Sequence, residues 1–336
     1  MSITLEVTAR VFPLARVFRI SRGARTQAEV IEVSLNHGSW KGWGESVPYS
    51  RYGESIESVT SQLERVANLI GSVDDHEHLA DWLPAGAARN ALDCAFWDLK
   101  AKMAGRSVAD MLDLPVAETC FTAQTISIDS IENMRESAKA LQGSPLIKVK
   151  LDPESVVEKI KAIHEATPLS RLIVDANEAW KIDDLRAVAG PLKEYGVVLI
   201  EQPLPAGEDA ALEGYECPIP LCADESCHTR KDLAGLRGRY QAVNIKLDKT
   251  GGLSEAMALY NMAKTMDFSI MVGCMVGSSL AMAPAYLLCK QADFVDLDGP
   301  ILMAEDRVNG FCFDNGRMWQ PSNGFLWGAG RNPPEL

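Results

Sequence analysis

The chain has 336 residues, of which 47% are hydrophobic and 24% are charged, as in an ordinary folded protein. Its 33 Lys and Arg against 46 Asp and Glu give a net charge of −13, which excludes the basic face that nucleic acid or an anionic membrane requires. No apolar run approaches the roughly 20 residues that span a bilayer, and the N-terminus lacks the layout of a signal peptide. We therefore expect a cytoplasmic protein that binds neither nucleic acid nor membrane, and we leave a homo-oligomer open.

The first part of the chain has the pattern of a small domain that contains both strands and helices. Residues 3–11 and 28–47 have the character of strands, and the latter segment folds into a hairpin at 36–39. In residues 86–104 apolar side chains recur at spacings of four, three and four, which indicates an amphipathic helix. The sequence therefore predicts an α+β capping domain over residues 1–115.

From about residue 118, short apolar strands alternate with helical segments. Eight such strands are predicted, at 120–127, 145–151, 171–177, 197–203, 220–226, 242–248, 269–275 and 292–298. Parallel neighbours need a crossover helix, so this order predicts an α/β fold, a modified TIM barrel of the (β/α)7β type, over residues 116–300. Residues 301–336 are predicted to return to the capping domain and complete it.

Carboxylates stand at the ends of three successive predicted strands. Asp175, Glu201 and Asp224 are separated by one compact β/α unit each, so their side chains should recur at similar heights in the barrel. Converging carboxylates repel each other, and Mg²⁺, which prefers oxygen ligands, resolves that cost. The absence of His and Cys at these positions disfavours zinc. Asn177 is expected to support the site from outside the ligand set, and Glu225 is expected to pair with a lysine.

Lysines flank the predicted metal site on both sides. Lys148 and Lys150 share one face of the second strand, and Lys246 lies on the sixth. A substrate carboxylate bound to the metal would present its α-carbon between these amines, a geometry suited to removing a proton from one face and returning one to the other. The alternative is a set of lysines that only form structural ion pairs.

These residues together resemble a known family, the muconate-lactonizing branch of the enolase superfamily. A Lys-x-Lys strand, carboxylates that end three strands and a lysine on the sixth strand are its hallmarks, and the superfamily uses Lys or His bases with Mg²⁺. Residues 84–94, 222–230 and 243–252 resemble the L-Ala-D/L-Glu epimerase subgroup of the dipeptide epimerases. The resemblance implies that Lys150 and Lys246 exchange the proton through an enolate while Lys148 assists electrostatically. It also implies a dipeptide substrate and a role in murein peptide recycling.

The resemblance also implies how the dipeptide is recognised. Asp296 and Asp298 at the end of strand eight are assigned to its free ammonium group, and Arg25, in a loop over residues 20–25, is assigned to its glutamate side chain. Structural ion pairs, or an arginine that merely lies on the surface, are the alternatives. The predicted substrate contacts are completed by Phe18, Tyr52, Thr125 and Met275.

Other functions remain open at this stage. The same chemistry could act on another dipeptide, on an N-acylamino acid, or in an o-succinylbenzoate-type dehydration, although two acids at the rim argue against a substrate without an ammonium group. Gly277 departs from many relatives, and a small residue there could enlarge the pocket. A barrel without catalytic activity that serves as a binding module is the alternative from a different class.

Overall fold

The computed structural model describes residues 2–321 and 326–331. The chain begins with an antiparallel sheet in which three strands pair in sequence order. They are β1 (Thr4–Ile20), β2 (Gly23–His37) and β3 (Trp40–Ser46). The sheet packs closely on a long helix because Gly44 lacks a side chain, and a Cβ there would lie 2.0 Å from the carbonyl oxygen of Ala91.

The first hairpin is longer than the sequence predicts. Residues 20–25 are not an open loop, because β1 runs to Ile20 and Phe18 pairs with Arg25 on β2. The pairing is interrupted between Pro13 and Phe18, where the proline has no N–H to give to a ladder. Because of this irregularity, the sequence pattern did not indicate that β1 continues to Ile20.

Helices cover one side of the capping sheet. The main one is the predicted helix, whose observed bounds are Ala87–Ala104 and which ends at Gly105 with a φ of 62°. The helices of this region are α1 (Ile56–Ala67), α2 (Leu79–Trp82), α3 (Ala87–Ala104) and α4 (Val108–Met111), with 3₁₀ turns at Ser50–Tyr52 and Val73–His78.

An eight-stranded parallel sheet follows, with its strands in sequence order, which confirms the barrel. Its strands come after the short β4 (Cys120–Phe121) and are β5 (Gln124–Ile126), β6 (Leu146–Lys150), β7 (Arg171–Asp175), β8 (Val197–Glu201), β9 (Leu221–Ala223), β10 (Ala242–Ile245), β11 (Ser269–Gly273) and β12 (Phe294–Asp296). Ala123 donates its N–H to the carbonyl oxygen of Val295 at 2.8 Å, which joins the first and last strands. A modified (β/α)7β barrel with an N-terminal cap is therefore correct.

Two details of the barrel differ from the prediction. The first predicted strand, 120–127, divides: β4 pairs outside the barrel, and only β5 belongs to it. The crossover between β8 and β9 contains a 3₁₀ turn, Asp209–Leu212, in place of an α-helix. The remaining helices are α5 (Ile131–Ala140), α6 (Val156–Ala166), α7 (Ile182–Glu194), α8 (Leu233–Leu236), α9 (Leu247–Thr250), α10 (Leu253–Thr265), α11 (Ser279–Tyr286) and α12 (Gly299–Leu302), with a further 3₁₀ turn at Cys289–Gln291.

The interior of the barrel is apolar at one level and polar at the next. Alternation along each strand turns every second side chain inward, so a buried apolar layer precedes the functional residues by two positions. Leu146 precedes Lys148, and Ile173 precedes Asp175. The apolar layer contains Ala123, Leu146, Ile173, Leu199, Cys222, Ala242 and Met271. The charged groups of the barrel therefore lie above a buried apolar layer.

The C-terminal segment runs back across the molecule. Its strands β13 (Cys312–Asp314) and β14 (Arg317–Trp319) form a small sheet with β4. Farther along, the indole Nε1 of Trp327 donates to the carbonyl oxygen of Cys94 on α3 at 3.1 Å. In residues 2–321 and 326–331, no helix is both long and apolar enough to cross a bilayer.

Candidate active site

A cavity of about 330 Å³ lies where the β1–β2 hairpin and the loop before α1 meet the carboxyl ends of the barrel strands. The residues of the predicted site that line it are Phe18, Arg25, Tyr52, Thr125, Lys148, Lys150, Asn177, Asp224, Glu225, Lys246, Met275, Asp296 and Asp298. Asp175 and Glu201 are fully buried beside it and contact Lys148. The structure therefore brings the predicted residues to one place.

Strand register positions the carboxylates. Lys150 on β6 is level with Asp175 on β7, which is level with Glu201 on β8. Glu201 is paired with Cys222, so Asp224 lies two residues beyond that level, just after the end of β9. Of the three carboxylates predicted from sequence spacing to lie at similar heights, Asp175 and Glu201 are level, and Asp224 is shifted by one inward-facing position.

The three lysines lie among these carboxylates. Lys148 Nζ is 2.6 Å from Glu201 Oε2 and 3.1 Å from Asp175 Oδ2, and Lys150 Nζ is 2.5 Å from that same Asp175 oxygen. On the other side Lys246 Nζ is 2.6 Å from Asp224 Oδ2. The ammonium groups thus neutralise acids that would otherwise be buried without partners.

Burial and charge pull the pKa values of these groups in opposite directions. Burial and, after it, the charge of Asp175 raise the pKa of Glu201 to about 7 against the opposing effect of Lys148. At Asp224 burial also acts to raise the pKa, but the ammonium groups of Lys246 and Lys249 outweigh it and hold the pKa well below its usual range. Charges therefore coexist here only because each has an opposite neighbour.

The donor chemistry at this place fits a hard divalent cation. Asp175, Glu201 and Asp224 offer only carboxylate oxygens, the ligands that Mg²⁺ prefers. Glu201 Oε2 is buried and accepts no hydrogen bond, since its contact with Lys148 has the distance of an ion pair but not hydrogen-bond geometry. Lys148 and Lys246 contact these carboxylates, and in the described part of the chain no three acidic, His or Cys side chains are close enough together to hold a cation as they stand.

A second acidic pair lies on the opposite wall of the cavity, at the end of β12. Asp296 Oδ2 accepts a hydrogen bond from Lys148 Nζ at 2.7 Å, while its Oδ1 is buried and has no partner. Asp298 Oδ2 accepts the backbone N–H of Thr125 at 2.8 Å. Burial and, after it, the charge of Asp296 raise the pKa of Asp298 to about 7.

The two arginines at the tip of the capping hairpin, Arg22 and Arg25, have different partners. Arg22 donates to Glu225 Oε1 at 2.7 Å, to Glu178 Oε2 at 3.0 Å and to the hydroxyl of Tyr49 at 2.8 Å. Arg25 faces the cavity with its guanidinium over the ring of Tyr49 and has no ion pair with any described residue. Arg25 is therefore the arginine whose charge is available to a ligand.

Two predicted supporting residues act differently from expectation. Glu225 pairs with Arg22 and not with a lysine, because the capping hairpin reaches the barrel at that point. Asn177 does support Asp175, but through its backbone N–H, which donates to Asp175 Oδ1 at 2.8 Å. Gly277 does not enlarge the cavity: a Cβ there would meet Val47, Ala281 and Glu45.

The sequence reasoning missed two residues that hold the carboxylates. Asn244 Nδ2 donates to Glu201 Oε1 at 2.7 Å, and Lys249 Nζ is 2.6 Å from Asp224 Oδ1. Asn244 lies two positions before Lys246 and therefore on the same inward face, which was a usable signal. Lys249 lies in α9, beyond the strand, and alternation could not have indicated it.

Comparison with known proteins agrees with this architecture. The family description "Mandelate racemase / muconate lactonizing enzyme, N-terminal domain" matches residues 2–113, and "Enolase C-terminal domain-like" matches residues 132–321. An N-acetyl-D-glutamate racemase from Pseudoalteromonas sp is 51% identical over 306 residues, 90% of this chain and 96% of that protein. The L-Ala-D/L-Glu epimerase of Escherichia coli (strain K12) is 47% identical over 317 residues, 94% of this chain and 99% of that protein.

Solved structures give the same result. An enolase family member from Agrobacterium tumefaciens with homology to dipeptide epimerases, with bound sodium and L-Ala-L-Glu, superimposes with a TM-score of 0.91 at 45% identity, covering 95% of this chain and 98% of that one. A dipeptide epimerase from Cytophaga hutchinsonii in complex with Mg and D-Ala-L-Val has a TM-score of 0.90 at 27% identity. The match covers 97% of this chain and 95% of that one. The chain is an isomerase of the racemase and epimerase class. It belongs to the mandelate racemase/muconate lactonizing enzyme family of the enolase superfamily.

Proposed function

We propose that this chain is a Mg²⁺-dependent epimerase of the dipeptide L-Ala-D/L-Glu that works by two-base proton transfer. The observation that carries the proposal is the order of groups around the barrel. Lys150 on β6 and Lys246 beyond β10 both line the cavity, and the strands between them supply Asp175, Glu201 and Asp224. An α-carbon held above the carboxylates would have an amine on each side.

The proposed roles of the chain's residues follow from this arrangement. Asp175, Glu201 and Asp224 would hold Mg²⁺, which when bound would supply positive charge that stabilises negative charge developing on the substrate carboxylate. One lysine, in its neutral form, would remove the α-proton, and the other, as an ammonium group, would return a proton to the opposite face. Lys148 would contribute a fixed positive charge, since its contacts with Asp296, Glu201 and Asp175 outweigh the effect of burial and keep its pKa well above the usual range.

The cavity also supports the dipeptide as the substrate. The unpartnered Oδ1 of Asp296, together with Asp298, would accept the free ammonium group at one end. Arg25 would bind the glutamate side chain at the other end, while Phe18, Tyr52, Thr125 and Met275 would complete the walls. We further propose that the enzyme acts in the cytoplasm on peptides released during murein recycling.

N-acetylglutamate is a second candidate substrate, and a specific observation favours it. Asp296 is already paired with Lys148, and burial together with the charge of Asp296 raises the pKa of Asp298, which favours the neutral form of that carboxyl. A neutral acetyl group would then be tolerated where an ammonium group is otherwise expected. A relative that is 51% identical is an N-acetyl-D-glutamate racemase, and both substrates share the glutamate that Arg25 would bind.

Exchange of the α-proton in D₂O distinguishes these functions. L-Ala-D-Glu, L-Ala-L-Glu and N-acetyl-D-glutamate are incubated with the enzyme and Mg²⁺, and deuterium incorporation and epimer formation are followed by NMR and chiral chromatography. We expect the highest kcat/KM with the dipeptides. The variant Asp296→Asn should reduce dipeptide turnover more than acetylglutamate turnover. Preference for N-acetyl-D-glutamate would establish the second candidate, and no exchange with any of the three would refute both.

A further inference from the structure

Each of the three proposed ligand carboxylates has one oxygen that is already engaged by a fixed donor. The donors are the backbone N–H of Asn177 for Asp175 Oδ1, Asn244 Nδ2 for Glu201 Oε1, and Lys249 Nζ for Asp224 Oδ1. None of the three donor groups has a part in the proposed proton transfer. The other oxygen of each carboxylate contacts one or more of the lysines that line the cavity.

The Asn244 amide is held in its place by packing. Its side chain is fully buried at the centre of the barrel, and its Oδ1 accepts no hydrogen bond. Gly273 on β11 makes room for it, since a Cβ at that position would lie 2.5 Å from Asn244 Oδ1 and 2.8 Å from its Nδ2. The amide is therefore packed closely and cannot rotate freely away from Glu201.

Lys249 is equally constrained. Its ammonium group is buried and has three acceptors, the carbonyl oxygens of Asp224 at 2.5 Å and of Asn244 at 2.9 Å, and Asp224 Oδ1 at 2.6 Å. A lysine Nζ has three N–H donors, so all of them are satisfied. Lys249 thereby ties the ends of β9 and β10 together and has no hydrogen left for a substrate.

We propose that Asn244 and Lys249 are positioning residues that limit Glu201 and Asp224 to one ligand oxygen each and so make the site selective for Mg²⁺ over Ca²⁺. Mg²⁺ takes six oxygens in a near-ideal octahedron, whereas Ca²⁺ takes six to eight and often binds both oxygens of a carboxylate. A carboxylate with one oxygen engaged suits the first ion and penalises the second. The inference rests on the proposed function, because it concerns the cation that this function requires.

The test measures cation binding directly, without substrate. The full-length protein is freed of metal with a chelator, and the Kd values for MgCl₂ and CaCl₂ are determined by calorimetry and by the shift of the melting temperature. Asn244→Leu removes the donor to Glu201 at similar volume. Asn90→Leu is the matched control, because Asn90 is also buried and its Nδ2 also donates to a carboxylate, at 2.8 Å, but that carboxylate is Asp248.

We expect the parent and Asn90→Leu to prefer Mg²⁺. In Asn244→Leu the affinity for Mg²⁺ should fall about tenfold, the loss typical of removing a group that orients a ligand, while the affinity for Ca²⁺ falls less or rises. Gly273→Ala is a second variant that displaces the amide without removing it, and its preference should change in the same direction. Unchanged preference in both folded variants would overturn the inference and leave the proposed function standing. Failure of the parent to bind either cation would instead overturn the proposed function.

Discussion

Glu178 accepts two hydrogen bonds from Arg51, at 2.8 Å from its Nε and 2.7 Å from its Nη2, and so ties a capping loop to the barrel. Arg22 of the capping hairpin donates to the same carboxylate. Glu178 follows Asp175 by three residues, and both it and Asn177 have positive φ values, 70° and 44°, which non-glycine residues adopt at a cost. The loop after a proposed metal ligand is thus held in an unusual conformation by the segments that cover the cavity.

Glu178→Gln should therefore weaken substrate binding more than the chemical step. The side chain of Glu178 is 7% exposed but that of Arg51 is 40% exposed, so solvent screening reduces the loss to about 1 kcal/mol, or a KM about fivefold higher. Steady-state kinetics with L-Ala-L-Glu measure this effect. Glu213→Gln is the control, since its partner Arg239 lies on the surface away from the cavity. Equal changes of KM in the two variants would show that the contact between Glu178 and Arg51 does not hold the capping segments over the cavity.

The two-base proposal predicts that each lysine exchanges the proton on only one face of the substrate α-carbon. Lys150→Ala and Lys246→Ala should each lower epimerisation by at least about a hundredfold, because each removes a group that gives or takes the proton. Each variant should still exchange the α-proton of one epimer, the one whose proton faces the remaining lysine. NMR in D₂O with L-Ala-D-Glu and L-Ala-L-Glu in separate tubes measures this. Lys159→Ala, which removes a buried lysine paired with Asp152 outside the cavity, should behave as the parent does.

The inward-facing part of the site follows from local geometry and could be predicted from the sequence. Alternation along a strand is fixed by the backbone, so Lys148 and Lys150 were predicted to share one face of their strand. Both side chains line the cavity. Successive parallel strands then bring Asp175 and Glu201 level, as the register confirms. These predictions needed only the period of a strand and the length of a β/α unit.

The partners contributed by distant segments could not be predicted in this way. Glu225 pairs with Arg22, and the two are 203 residues apart in sequence, so only the docking of the cap on the barrel brings them together. Residue 120 pairs with β14 and not with the barrel, for the same reason. Local patterns identify which side chains face inward, but they do not identify which remote segment completes each pair.

The two hairpin arginines should have separable effects on substrate preference. Arg25→Ala should reduce kcat/KM for L-Ala-L-Glu about 10- to 100-fold, the value of a charged hydrogen bond, and should leave L-Ala-L-Leu nearly unaffected. Arg22→Ala should reduce turnover of both dipeptides to the same degree, since the charge of Arg22 is already paired with Glu178 and Glu225. Parallel kinetics with the two substrates test this. If only Arg22→Ala lost the preference for the glutamate dipeptide, Arg22 and not Arg25 would be the residue that recognises the glutamate side chain.

A buried acid outside the cation site should make the stability of the fold depend on pH. Asp248 Oδ1 accepts the N–H of Val47 at 2.9 Å and Asn90 Nδ2 at 2.8 Å. Burial, with smaller contributions from the charges of Glu54 and Glu45, raises the pKa of Asp248 from 3.8 to about 7. In the folded state the neutral carboxyl is therefore favoured. Its contribution to stability is complete below about pH 4 and is lost as the pH rises through about 7.

Asp248→Asn should remove this dependence, because an amide keeps the Oδ1 acceptor for both donors and does not ionise. The free energy of unfolding of the parent, relative to the variant, should fall by up to about 1.4 kcal/mol for each pH unit between the two pKa values. Urea unfolding of both proteins at several pH values from about 4 to about 8 measures the difference. Other titrating groups are common to the two proteins and cancel in the comparison. If the difference in unfolding free energy stays constant over that range, Asp248 ionises in the folded state as readily as in the unfolded chain, and its burial has been compensated by the hydrogen bonds from Val47 and Asn90.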